Sequence, residues 1–153
     1  MQYHQLPAQL YYCAKKELAI TDIPFFAEEV MDDLQHDLRV AAVDITGPPE
    51  FHYFDIDLTG ARPFYILIAF PVTKRCDTGR FSFLETEPFS CLTTEYRGPM
   101  AGIGEAWTDL VNSTLAAGYL LQNQGREVYR EWLGFESDRN LTELQLGVAA
   151  RWF

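Results

Sequence analysis

Basic residues are scarce: 12 Lys and Arg stand against 22 Asp and Glu, for a formal net charge of −10. The pairs Lys15-Lys16 and Lys74-Arg75 are isolated. The clustered cations that neutralise phosphates are therefore missing, which argues against direct nucleic-acid binding and against docking on an anionic membrane. Cysteine is also sparse. Cys13, Cys76 and Cys91 are odd in number and lack C-x-x-C spacing, which speaks against a disulfide framework or a paired-cysteine zinc site. His4, His36 and His52 are scattered and no H-E-x-x-H occurs, so no metal is expected. Gly102-Ile-Gly104 lacks the later glycine of a dinucleotide fingerprint, and there is no G-x-S-x-G elbow; no cofactor is expected. No apolar run approaches the ~18 residues of a membrane span. The longest, Phe64 to Val72, contains Pro71 and suits a buried strand. The amino terminus lacks a basic segment followed by an apolar one, and the expectation is a soluble, cytoplasmic, acidic protein.

Aromatic rings are plentiful, at 14% of 153 residues. That many rings can build a core or line a pocket, and composition does not decide between them. With 48% hydrophobic and 22% charged residues and no Gly/Ser-rich linker, the length suits one domain over residues 1–153.

A weak internal repeat organises the chain, over about residues 10–72 and 89–150. Cys13-x-x-x-Glu17 recurs as Cys91-x-x-x-Glu95, and Tyr65-Ile-Leu-Ile-Ala-Phe70 matches Glu143-Leu-Gln-Leu-Gly-Val148, both at an offset of 78. Glu50 and Glu127 align at an offset of 77. Each half reads as strand, helix, strand, strand. Opening strands are predicted at 10–20 and 89–97, and closing strands at 50–56, 64–71, 126–133 and 142–149. Phe26, Val30, Met31, Leu34 and Leu38 form one helical stripe, with Asp22 as its expected cap before Pro24. Ile103, Trp107, Leu110 and Val111 form a second stripe between about Pro99 and Ala117, closed by Gly118.

These elements predict an α+β fold: duplicated β-α-β-β units whose antiparallel sheet carries both helices on one face and leaves the other open for a ligand cleft. If Leu144, Leu146 and Val148 face the helices, alternation sends Glu143 and Gln145 to the open face. The same assignment for Val128 and Trp132 sends Glu127, Tyr129 and Glu131 there too.

The second half carries Tyr96-Arg-Gly98-Pro99 leading into a helix with Trp107, then Arg-Glu127-Val-Tyr129, then Leu-Thr142-Glu143-Leu-Gln-Leu. In these motifs it resembles the GyrI-like small-molecule-binding domain, the family of gyrase inhibitory proteins and of effector-binding domains in multidrug-responsive transcription activators. The resemblance implies paired β-α-β-β (SHS2-like) units and a cleft that takes bulky, often cationic, aromatic compounds around a buried glutamate. That glutamate corresponds to Glu127. Ring positions correspond to Tyr96, Trp107 and Tyr129, with Tyr53 and Tyr65 facing them through the repeat. Met100 and Gln145 stand where the family often has aromatics, so ligand shape or charge preference can differ.

Each candidate has a structural alternative. Glu127 can be a solvated strand glutamate paired with Arg126 or Arg130, Glu143 and Glu50 can be surface carboxylates, and Trp107, Tyr96 and Tyr129 can be plain core. As a ligand site, Glu127 in an apolar cleft would have its pKa raised above ~4.3 by desolvation. The resulting expectation is a stand-alone binder of small aromatic, cationic molecules, with rings supplying cation-π attraction and Glu127 the charge. Two alternatives remain. The resemblance also implies a hydrolase of cyclopropane-bearing or similar electrophilic aromatics, using Glu127 to activate water, and a protein-interaction module of the gyrase-inhibitor type.

Overall fold

Both halves of the repeat fold as strand, helix, strand, strand, and each recruits a further strand from outside the repeat. The elements are β1 (Gln2–Leu6), β2 (Leu10–Leu18), α1 (Ile23–Val40), β3 (Glu50–Phe54), β4 (Phe64–Pro71), β5 (Ser82–Glu85), β6 (Phe89–Arg97), α2 (Ile103–Ala116), β7 (Tyr119–Glu131) and β8 (Leu141–Arg151). This computed structural model describes residues 1–56, 60–77 and 79–151, with Ala150 and Arg151 described through their backbone alone. The chain divides into two compact units, Ala8–Glu87 and Met1–Pro7 with Pro88–Phe153.

In the Ala8–Glu87 unit the antiparallel order is β5-β2-β4-β3. In the other it is β1-β6-β8-β7, again antiparallel. The two orders are the same. β1 precedes β2 in the chain yet pairs with β6, and β5 precedes β6 yet pairs with β2, a reciprocal exchange of edge strands. Cys13 lies opposite Ala69 and Cys91 opposite Gly147, so the offset of 78 read from the sequence also holds in the register.

The helices form where the apolar stripes lie. Phe26, Val30, Leu34 and Leu38 are buried on α1, which packs on β2 and β4. Pro24 sits in its first turn, where a missing N–H costs nothing. Asp22 occupies the cap position but makes no capping side-chain bond. The 3-10 turn Ile20–Asp22 runs straight into the helix and leaves Asp22 with helical φ and ψ of −89° and −7°, whereas a capping side chain needs an extended backbone. α2 starts at Ile103, after a separate 3-10 turn, Met100–Gly102. It ends at Gly118, whose φ of 87° suits glycine and whose N–H donates to the Leu115 carbonyl at 3.0 Å.

Among the described residues, both faces of each sheet carry buried side chains. In the Ala8–Glu87 unit, Tyr12, Ala14, Ile66, Ile68 and Phe70 are buried on the α1 side, and Tyr11, Cys13, Leu67 and Ala69 form a second cluster on the reverse. In the other unit, Leu92, Leu144, Leu146 and Val148 meet Ile103, Trp107, Leu110 and Val111 of α2, while Cys91, Thr93, Arg126, Val128 and Gln145 are buried on the far side. Burial holds the thiols of Cys13 and Cys91 up at about 11, only partly offset by the charges of Lys15 and Arg126 respectively. Among the described residues no helix is long and apolar enough to cross a membrane.

Candidate functional site

Residues directly opposite one another in an antiparallel ladder share a face. In the Pro88–Phe153 part of its unit, the ladders across β6, β8 and β7 therefore define three rows beneath α2: Leu92, Leu146 and Gly125; Thr94, Leu144 and Glu127; Tyr96, Thr142 and Tyr129. Glu127 and Tyr129 thus lie under the helix. They are not on the face of Glu143 and Gln145, which pair with Val128 and Arg126 on the far side. The placement expected from the sequence is corrected here, because it gave Val128 the Leu144 face, whereas Val128 is opposite Glu143.

Under the helix, Glu127 is 5% exposed. Its Oε2 accepts a hydrogen bond from Trp107 Nε1 at 2.7 Å, and its Oε1 accepts one from the Tyr129 hydroxyl at 2.5 Å. Three candidates are joined in one constellation: two ring donors, one from the helix and one from the same strand, hold one carboxylate. Hydrogen bonds to an ionised acceptor are short and strong. Gly125 makes room for the Trp107 ring, since a Cβ there would stand 3.0 Å from Trp107 Cη2. In the same row as Tyr129, Thr142 is fully buried, and its Oγ1 has no hydrogen-bond partner among the described residues. The ladder thus places a carboxyl group, two ring donors and a buried hydroxyl on one face of the sheet.

Tyr96 shares this face, but its hydroxyl is committed elsewhere: it donates to the Pro99 carbonyl at 2.6 Å. Gly98 and Gly102 keep clear of that hydroxyl, and a Cβ on either would collide with it. Met100, half-buried, begins the 3-10 turn before α2 and donates its N–H to the Phe135 carbonyl at 2.9 Å. On the far side, Gln145 Nε2 donates to Glu143 Oε2 at 2.5 Å, and Arg130 pairs with Glu143 Oε1 at 3.3 Å. Arg126 lies 4.0 Å from the Phe89 ring centroid. Arg130 and Arg126 therefore engage Glu143 and Phe89 on that side.

Tyr53 and Tyr65 belong to the Ala8–Glu87 unit and lie on opposite faces of its sheet. Tyr53 is buried in the row of Ile66, and Tyr65 is paired with Phe54. Tyr65 is a surface ring with the Lys15 ammonium 4.7 Å from its centroid. A hydrogen bond with Glu17 raises its pKa, and Glu17's charge and burial add to the rise. By register, Tyr53 is the counterpart of Glu127: it faces Ile66 as Glu127 faces Leu144, and those partners are 78 apart. Glu50 faces Ala69, the counterpart of Gly147, so its alignment with Glu127 in the sequence is a slip of register. Glu50 instead accepts hydrogen bonds from Tyr11 at 2.9 Å and shares a 2.9 Å contact with His52 Nε2. At the position corresponding to Glu127, the Ala8–Glu87 unit thus carries a ring in place of the carboxylate.

No family model matches the sequence, and no curated protein matches it. Solved structures do. The C-terminal domain of EcmrR, 18% identical, aligns with a TM-score of 0.84 over 97% of this chain and 96% of that one. The chain shares its fold. SAV2435, solved bound to tetraphenylphosphonium, is 14% identical with a TM-score of 0.73, covering 97% of this chain and 93% of its own. A hydrolase from Listeria innocua is 10% identical with a TM-score of 0.64, covering 97% and 91%. Identities this low establish architecture alone.

Sequence reasoning missed Gly125, the buried Thr142 hydroxyl with no partner among the described residues, and the rings beyond Tyr129. A β-bulge lies between Tyr129 and Glu131. The extra residue reverses the alternation and turns Trp132 onto the Tyr129 side, where the rings meet edge to face at 5.6 Å. Simple period-2 counting places Trp132 on the opposite side.

Proposed function

We propose that this chain is a GyrI-like binding protein, acting as one domain in the cytoplasm, for small lipophilic aromatic molecules and above all for cations. The observation that carries this reading is the buried Glu127 carboxylate held by Trp107 and Tyr129. Trp107 and Tyr129 fix the orientation of the carboxylate beneath the helix. A delocalised cation beside Glu127 would gain Coulomb attraction in a poorly solvated place, and the flanking rings would add cation-π attraction. The fold shared with tetraphenylphosphonium-bound SAV2435 supports this class of ligand.

The test is titration with tetraphenylphosphonium and with a neutral aromatic of similar size, read by calorimetry and thermal shift. Ligand that binds only the folded state raises Tm by mass action. Glu127→Gln keeps the shape and removes the charge. It should weaken the cation by about 2–5 kcal/mol, roughly 30-fold to several thousand-fold, and the neutral ring far less. Equal binding of both ligands by variant and parent would refute the reading.

A second reading is favoured by the short contact between the Tyr129 hydroxyl and Glu127, a phenol–carboxylate pair able to orient water, and by the fold shared with the Listeria hydrolase. Turnover of a strained-ring aromatic electrophile that disappears in Glu127→Gln while binding persists would make the protein a hydrolase.

A further inference from the structure

The β7–β8 connection displays three large apolar side chains: Trp132, Leu133 and Phe135 are 42%, 55% and 56% exposed. Single exposed hydrophobics are ordinary, but contiguous ones mark a place where something binds. This connection is also held in place. Asn140, fully buried, accepts the Leu133 N–H at 2.7 Å, donates to the Gly134 carbonyl at 2.6 Å, and accepts the Gly98 N–H on its own carbonyl at 3.0 Å. The Phe135 carbonyl accepts the Met100 N–H at 2.9 Å. Gly134, with φ of 113°, makes the bend that this mesh requires. The two rings are therefore presented by a fixed frame, which reduces the conformational entropy that binding would otherwise consume.

The rings are also continuous with Glu127. Tyr129 meets Trp132 at 5.6 Å and 72°, and Trp132 meets Phe135 at 5.2 Å and 87°, both edge to face. The ladder runs from a buried phenol whose hydroxyl touches the carboxylate to a ring in solvent. Glu136 and Asp138 are exposed on the same connection, with Arg139 as its cation.

We infer that Trp132 and Phe135 form the outer rim of the Glu127 site and select cations with several aromatic rings over cations with one. This rests on the Glu127 reading above. A compact cation would be held at the carboxylate and Tyr129, and only a multi-ring ligand would extend far enough to meet Trp132 and Phe135. The bulge after Tyr129 is what builds this specificity, by turning Trp132 to the side of the carboxylate.

The probes are tetraphenylphosphonium, with four rings, and benzyltrimethylammonium, with one, titrated calorimetrically into the full chain. The double variant Trp132→Ala, Phe135→Ala should bind tetraphenylphosphonium about tenfold or more weakly and benzyltrimethylammonium within twofold of the parent. Phe135→Tyr, which keeps the ring, should bind both as the parent does, and Glu127→Gln should weaken both. If the double variant does not fold, Phe135→Ala alone carries the test, with a loss of about threefold for tetraphenylphosphonium alone. Parent-like binding of tetraphenylphosphonium by the rim variants, or an equal loss of both probes, overturns the rim. Rim-dependent binding that ignores Glu127→Gln keeps the rim and overturns the Glu127 reading, and a parent that binds neither probe overturns both.

Discussion

Gly125 is where the site can be perturbed by a single methyl group. An alanine Cβ there would stand 3.0 Å from Trp107 Cη2 and 3.5 Å from Cζ3, against a preferred carbon–carbon separation of about 3.5–4.0 Å. Two responses are open. If the indole stays, overpacking costs about 1–3 kcal/mol. If it retreats by about half an ångström or more, the 2.7 Å bond from Nε1 to Glu127 stretches toward the limit of a useful hydrogen bond, and a bond to a charged group is worth about 1.5–3 kcal/mol. These costs are alternatives and do not add. Gly125 does not have the left-handed backbone that favours glycine, so alanine recovers about 0.4–1 kcal/mol by restricting the unfolded chain. The net expectation is a loss of up to about 2.5 kcal/mol, or up to about 10 °C in Tm for a domain of this size. Gly104 in α2 is the control, because a Cβ there meets nothing within 4 Å; Gly104→Ala should raise Tm by about 1–4 °C. Urea melts of both variants, and of Gly125→Ala in a Trp107→Phe background, isolate the contact as a coupling energy. In that background the penalty should vanish. A Gly125→Ala protein as stable as Gly104→Ala would refute the placement of Trp107 over β7.

Two further expectations follow from the buried polar groups. Burial would raise the pKa of Asp37, but hydrogen bonds from Arg80 and Tyr12, the latter at 2.6 Å, and the charge of Arg80 outweigh it and hold the carboxyl low. Its stabilisation is therefore fully present above the unfolded value of ~3.9 and is lost as pH falls through the lower folded value. Arg80 is about half-exposed, so Arg80→Gln should cost only about 1–2 kcal/mol at neutral pH and flatten the acid limb of a stability-versus-pH curve below about pH 4; an unchanged limb would remove Asp37 from the account. Thr142→Val replaces a buried hydroxyl without a partner among the described residues by a methyl of the same shape, and urea melts should show a gain of about 1 kcal/mol. A loss would mean that the hydroxyl is satisfied.

Much of the secondary structure is legible in the chain because one burial pattern dominates each element. The runs at 64–71 and 89–97 coincide with β4 and β6, and the stripes of Phe26 to Leu38 and Ile103 to Val111 are the buried sides of α1 and α2. The repeat offset reflects a shared register, with Cys13 and Cys91 each facing a small residue, Ala69 and Gly147. Glu127, Tyr129 and Trp107 stand together in the sequence only through the resemblance to the GyrI-like domain, because a lone strand glutamate and two rings have no spacing of their own that joins them. What only the tertiary structure decided is where partners lie. β1 and β5 are short and largely exposed, and they pair through backbone groups that every residue carries, so no side-chain pattern announces them or their exchange. The face of Glu127 depends on register: a slip of one residue reverses every side chain of a strand, and Glu127 lies under α2 because it stands opposite Leu144. The bulge after Tyr129 adds one residue without any composition of its own, and that residue decides whether Trp132 points toward the carboxylate or away from it.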